Sequence, residues 1–275
     1  TRGPRPGGLT GVDDGTAGAT APSVSLVLPA WNEAEGLDHW LEDAVVALES
    51  LVASGLVGRF EVVVVDDGST DATAEVVTRA ADRRPGIRLV SHDRNRGVGA
   101  GLRTGLQAAT GDFVVSTDAD MPVDLAEIGP ALRLIQAGEA ELGAGSRIER
   151  SEDGLVRRLC TAGYDIVVSI AFGVRVDDVN FAFKVARTDL LRSLDLRSEG
   201  AFIDAELMAS AVLAGHDVHV TRMSYRPREY GRSSTLTLRT LGGLGREFVQ
   251  HAPRIRRLRR QRRQRRRSEA AQSNG

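Results

Sequence analysis

The chain predicts an α/β fold, a mostly parallel central sheet flanked by helices, on three observations. Continuous β-branched runs occur, Glu61-Val62-Val63-Val64-Val65 being the clearest, as a strand buried on both faces requires. Such runs alternate with stretches whose apolar residues recur at helical spacing, which implies right-handed crossovers between parallel neighbours. The 275 residues, 41% of them apolar, are enough to bury one substantial core.

Val24-Ser25-Leu26-Val27-Leu28-Pro29 reads as the first strand. A helix from 34 to 53 follows, with Leu37, Leu41, Val45, Leu48 and Val52 on one face. Residues 61–65 form the second strand and 71–81 the second helix; Ile87-Arg88-Leu89-Val90 is the third strand and 99–109 the third helix. Phe113 to Ser116 is the fourth strand. Beyond it the pattern loosens: a helix over 125–137, an apolar run Leu142-Gly143-Ala144-Gly145, an amphipathic helix over 155–171 and a helical run over 207–213. Residues 1–22, rich in Gly, Pro and Thr, are expected to be a flexible leader. One catalytic domain then spans 23–250, divided into a nucleotide-binding half (23–120) and an acceptor half (121–250), with a basic tail over 251–275.

The net charge of -1 hides a division. Residues 253–275 hold ten Arg and one Glu, +9, so residues 1–252 sum to -10. Such a tail suits anionic lipid headgroups or nucleic acid, and the lack of aromatics among the arginines weakens the second reading, so no nucleic-acid partner is expected. Together with the segment Leu236 to Arg259 the tail is expected to rest on a membrane surface. The longest apolar stretch, Ile166 to Val174, falls short of the ~20 residues a spanning helix needs. Cys160, the single cysteine, excludes an intramolecular disulfide and a Cys-rich zinc site. A reducing compartment fits, so a cytoplasmic protein, peripheral on the membrane's cytoplasmic face, is expected.

In parallel sheets ligands bind at the carboxyl ends of the strands. That gathers Pro29-Ala30-Trp31-Asn32-Glu33, Asp66-Asp67-Gly68-Ser69-Thr70, the turn from Asn95 to Gly101, and Asp118-Ala119-Asp120. Two carboxylates one residue apart at a strand end suit a hard divalent cation that keeps positions for water and a diphosphate, although such a pair also caps helices. A carboxylate at 66 or 67 can accept from a base-edge N–H; turn chemistry is the plainer account of the same residues. Gly97-Val98-Gly99-Ala100-Gly101 follows the third strand and not the first, so it is read as a helix start that lets backbone approach a ligand. Arg147 and Arg232 lie beside small residues in loops, where a guanidinium grips phosphate oxygens. Lys184 is the only lysine, either kept for its ammonium or retained on the surface by chance. Asp204 opens a helix, where it serves the dipole, orients an acceptor or acts as a base.

These segments, with Val65-Asp66-Asp67-Gly68-Ser69-Thr70-Asp71, Asn95-Arg96-Gly97-Val98-Gly99 and Gly145-Ser146-Arg147, resemble the ordered motif set of the family 2 inverting glycosyltransferases of GT-A fold. Asn180-Phe181-Ala182-Phe183-Lys184, Phe202 to Leu207 and Gly231-Arg232-Ser233-Ser234 further resemble the branch that makes dolichyl- and polyprenyl-phosphate sugars. The resemblance implies that Pro29, Ala30, Glu33, Asp66 or Asp67, Gly97 and Asp118 bind a nucleotide-sugar donor. It implies Mg²⁺ or Mn²⁺ on Asp118 and Asp120, and an acceptor side of Arg147, Lys184, Arg232 and Ser233. Where the branch often has Gly-Phe-Lys this chain has Ala182-Phe183-Lys184. Where mannosyl members have Leu-Gln after the acidic pair it has Met121-Pro122, closer to glucosyl members, so UDP-glucose is favoured over GDP-mannose.

The implied chemistry is in-line displacement at the anomeric carbon, with Arg147, Arg232 and the metal stabilising the departing diphosphate. A lipid phosphate acceptor needs no strong base and leaves Asp204 to orient it; a soluble hydroxyl acceptor, the alternative, would use Asp204 as base. A binding module without catalysis, or a nucleotidyltransferase, are the readings from other classes.

Overall fold

The computed structural model describes residues 21–120, 122–148, 168–169, 178–224 and 238–273. The amphipathic helix over 155–171, apart from 168–169, Cys160, Met121, Arg232 and Ser233 lie outside the described residues.

Among the described residues seven strands form one sheet: β1 (Ser23–Ala30), β2 (Arg59–Asp66), β3 (Ile87–Ser91), β4 (Phe113–Thr117), β5 (Leu142–Arg147), β6 (Phe183–Arg187) and β7 (Val218–Met223). Their order is β3-β2-β1-β4-β6-β5-β7, and β6 alone runs antiparallel to its neighbours. The helices are α1 (Ala34–Ala53), α2 (Thr73–Arg83), α3 (Val98–Ala108), α4 (Ile128–Gln136), α5 (Thr188–Ser193), α6 (Ile203–Ala214) and α7 (Leu238–Ser273).

The β-branched runs do what burial on both faces demands. Leu26, Leu28, Val62, Val64, Val115 and Val185 pack with α1, α2 and α4, while Val27, Val63, Val65, Val114 and Ala186 pack with α3 and α6. On the α3 side Gly105 admits close contact, since a Cβ there would stand 2.3 Å from Val27 Cγ1.

Three details differ from the sequence expectation. Helix α2 starts two residues late because Asp71 Oδ1 accepts from Thr73 N at 3.0 Å, a side-chain turn that holds 71–72 out of the helix. The helix expected over 125–137 is a 3₁₀ turn, Leu125–Glu127, running into α4, with Asp124 Oδ1 accepting from Ala126 N. The arginine-rich segment is helical, and α7 runs through residue 251, the boundary expected between domain and tail. Ala252 and Ile255 are buried in the core on the α6 side.

Helix α6 is buried nearly all round, between the sheet and α7. The two helices run side by side in the same direction. Glu247 accepts from Gly200 N (2.7 Å) and Phe202 N (3.2 Å) just before α6, and Arg254 Nη1 donates to Glu206 Oε1 (2.7 Å) one turn into it. Phe202 meets Phe248 edge-on and stacks on His251.

Candidate active site

The strand order reverses between β1 and β4, and a crevice outside the carboxyl ends of the strands opens at such a switch point. Trp31–Glu33 leave β1 on one side of it, and Asp118–Asp120 leave β4 on the other. Residues 67–72, after β2, adjoin the first loop. Asn32 N donates to Ser69 Oγ (2.9 Å), Thr70 N to Asn32 Oδ1 (2.8 Å), Glu33 N to Thr73 Oγ1 (3.0 Å) and Ala34 N to Asp71 Oδ2 (3.2 Å). Asn32 takes φ 56°, a left-handed conformation that asparagine tolerates and these bonds secure. The loop presenting Ala30 and Glu33 is thus fixed by side chains from β2's turn.

The two acids of that turn have separate tasks. Asp66 is buried and accepts from Ser69 N at 3.0 Å. The Asp67 carboxylate is spent inside the protein: it accepts from Arg96 N (2.9 Å) and Gly97 N (2.7 Å) and pairs with His92 Nδ1 (2.6 Å). His92 in turn meets Thr104 Oγ1 at 2.9 Å. Gly97 likewise serves the frame. It has φ 100°, its N–H is taken by Asp67, and a Cβ there would come within 2.3 Å of Glu199 O. The glycine cluster therefore admits the backbone of 198–200, and Ala100 N completes the contact by donating to Glu199 O. Of the two acids expected to hold the base, Asp67 is thus committed to the turn at Arg96 and Gly97, while Asp66 accepts from Ser69 N at the end of β2.

Asp118 and Asp120 are half-buried. Burial, then repulsion from Asp120 and Asp204 and more weakly Glu33, pushes the Asp118 carboxyl up to about 8, while Lys184 pulls the other way. These oxygen donors, held together against their own repulsion, fit a hard divalent cation that would relieve it. Among the described residues no group of three or more His, Cys, Asp or Glu side chains is placed to hold a metal.

Lys184 is buried beside this cluster, which disposes of the surface reading. It pairs across strands with Ser116, two residues before Asp118, and its Nζ donates to Asp204 Oδ1 (3.0 Å) and the Phe181 carbonyl (2.6 Å). Asp204 reaches this point from the first turn of α6. Arg147, at the end of β5, is anchored by Asp178, whose Oδ2 accepts from Arg147 N and Nε, both at 3.2 Å, and its guanidinium lies 5.9 Å from the Phe181 ring centre. Segment 178–184 thus links Arg147 to the Lys184–Asp204 pair. Among expected site residues, Arg147, Lys184 and Asp204 are joined in this way, while Arg232 and Ser233 are outside the described residues.

Sequence reasoning missed Asp178, His92 and Glu247. Asp177-Asp178 repeats the paired acids of Asp66-Asp67, a usable signal for the first. His92 follows a strand end, and a hydrogen-bond bridge between a carboxylate and a hydroxyl leaves no spacing signature in the sequence. For Glu247 there was no local signal, because its partners lie more than forty residues away.

The chain is 28% identical over 239 residues to glycosyltransferase AglD of Haloferax volcanii, covering 85% of this chain and 38% of that protein. It is 27% identical over 198 residues to dolichyl-phosphate beta-glucosyltransferase of Dictyostelium discoideum, covering 67% and 61%. The chain thus spans less than two thirds of the length of either relative. Among solved structures, glucosyl-3-phosphoglycerate synthase from Mycobacterium tuberculosis, in complex with Mn²⁺, UDP-glucose and phosphoglyceric acid, superimposes with a TM-score of 0.60 at 22% identity, over 87% of this chain and 80% of that one. The fold is GT-A. Residues 25–192 match the family described as glycosyl transferase family 2, and with more than half of its length so matched the chain belongs to that family of glycosyltransferases.

Proposed function

We propose that the protein transfers a sugar, with inversion, from a nucleoside diphosphate to a polyprenyl or dolichyl phosphate at a membrane surface, with UDP-glucose the favoured donor. The observation that carries this reading is the acidic pair Asp118 and Asp120 after β4 at the switch point, with Asp204 near enough to oppose ionisation of Asp118, beside the anchored Arg147 and the buried Lys184. The names of the relatives support the donor and acceptor classes: a dolichyl-phosphate beta-glucosyltransferase in one case, and a dodecaprenyl-phosphate galacturonate synthase of Rhizobium johnstonii in another.

In this reading Asp66 accepts from the donor base, with Pro29, Ala30 and Glu33 lining the nucleotide's path. Asp118 and Asp120 hold Mg²⁺ or Mn²⁺, which supplies charge stabilisation to the leaving diphosphate. The bond from the anomeric carbon to the diphosphate oxygen breaks as a phosphate oxygen of the acceptor attacks from the opposite face. That oxygen is already anionic at neutral pH, so no proton has to be removed. Asp204, held by Lys184, then serves orientation and not proton abstraction. Arg147, anchored by Asp178, turns its guanidinium to phosphate oxygens in this reading.

A second reading, transfer to a soluble hydroxyl acceptor, is favoured by the likeness to a synthase whose complex contains phosphoglyceric acid. No helix among the described residues is long and apolar enough to cross a membrane, which is compatible with either. The two separate on incubation with UDP-glucose or GDP-mannose and a short polyprenyl phosphate, with and without Mn²⁺. A metal-dependent glycosyl phospholipid is the expected product; transfer to 3-phosphoglycerate alone would favour the second reading.

A further inference from the structure

The arginines of α7 are not equivalent. Arg254 is committed to the fold through buried Glu206 and the Asp195 carbonyl. Arg262 and Arg259 are half-buried. By contrast, Arg246, Arg256, Arg257, Arg260 and Arg263 are exposed, together with Val249, Gln250, Pro253, Gln261 and Gln264. At 3.6 residues per turn these positions fall on one side of the helix, opposite Ile255 and Leu258, which pack towards α6. This outer face is about 25 Å long at 1.5 Å per residue. It carries five arginines and no acid, on a chain whose residues 1–252 sum to -10. The acid within that span, Glu247, is turned away to Gly200 and Phe202.

We infer that this face of α7 is an electrostatic docking surface for an anionic lipid bilayer, on which the helix lies flat. A one-sided row of like charge along a straight helix matches a planar polyanion. No aromatic side chain interleaves the exposed arginines for bases to stack on, which argues against single-stranded nucleic acid. A second copy that met this face with its own positive row would be repelled. The exposed face offers one large apolar side chain, Val249, at 70% exposure, so attachment is by charge and not by insertion. Because α7 runs alongside α6 in the same direction, its Arg246 end lies at the pole where Asp204 enters the site. Docking therefore sets the catalytic pole beside the bilayer edge of the protein, and half-buried Arg254, held by Glu206, takes no part.

The purpose of this surface rests on the lipid-phosphate reading, so binding and transfer are measured apart. The full chain is sedimented with phosphatidylcholine vesicles with and without phosphatidylglycerol, and transfer to a short, water-soluble isoprenyl phosphate is assayed in parallel. The expected result is binding to the anionic vesicles only, reversed by high salt. A variant with Arg256→Gln, Arg257→Gln, Arg260→Gln and Arg263→Gln should lose about fivefold per arginine, with transfer and thermal melting unchanged. The matching Arg→Lys variant should bind like the parent. Equal binding to neutral vesicles, undiminished binding by the Gln variant, no binding at all, or displacement of the vesicles by duplex DNA at equal charge would each overturn the assignment. Failed sugar transfer with intact vesicle binding would count against the proposed reaction alone.

Discussion

Asp118 stands where burial and like charge both oppose ionisation, yet the chemistry proposed for it requires a carboxylate. Its carboxyl is pushed up to about 8 from an ordinary 3.8. In the unfolded chain it ionises near 4, so the stability it contributes is complete below that pH and is lost as pH rises through about 8. Without metal, Asp118→Asn should therefore raise the melting temperature at pH 8.5 and leave it unchanged near pH 4. A cation needs the ionised form, so Mn²⁺ affinity in calorimetry should climb by about tenfold per pH unit below 8 and then level off. Lys184 is a second point of leverage. Replacing it with Met removes the Asp204 partner while Asp118 still repels it, and activity should fall by about tenfold to a hundredfold with KM little changed. Lys184→Arg should not rescue, because a guanidinium is too large for a position only 2% exposed.

At the scale of elements, the mount of α6 decides whether Asp204 is in place. Glu206, fully buried on α6, accepts from Arg197 N and Ser198 N, both at 2.8 Å, and from Arg254. Arg254→Met would strand that carboxylate and should cost about 3 kcal/mol in denaturant unfolding. Gly99→Ala should be as disruptive locally, since its Cβ would lie 2.6 Å from Ser198 O. These dependences were illegible in the sequence. The first four strands and three helices could be read there because each depends on its own apolar period. The continuation of α7 past Pro253 could not, because proline argues for a break and the arginine run for a solvated tail. Burial of Ile255 and the Arg254–Glu206 pair override both.

Across the whole molecule, the site is a product of topology. Strand ends from β1, β2 and β4, with α6 reaching in from the second half, assemble the acids around one crevice. The acids at strand ends were legible because a polar pair terminating a buried run needs a reason. Which of them face the crevice was not: Asp66 and Asp67 are neighbours in sequence, but their carboxylates are committed differently, and only the three-dimensional path of Arg96 and Gly97 shows it. The account stands or falls on a divalent cation held by Asp118 and Asp120 that binds a nucleoside diphosphate. Titrating UDP into the protein by calorimetry, with Mn²⁺, with chelator, and in the Asp118→Ala variant, tests this directly. The expected result is Mn²⁺-dependent binding that weakens by about a hundredfold in Asp118→Ala. UDP binding equally tight in chelator, or undiminished by the substitution, would contradict it.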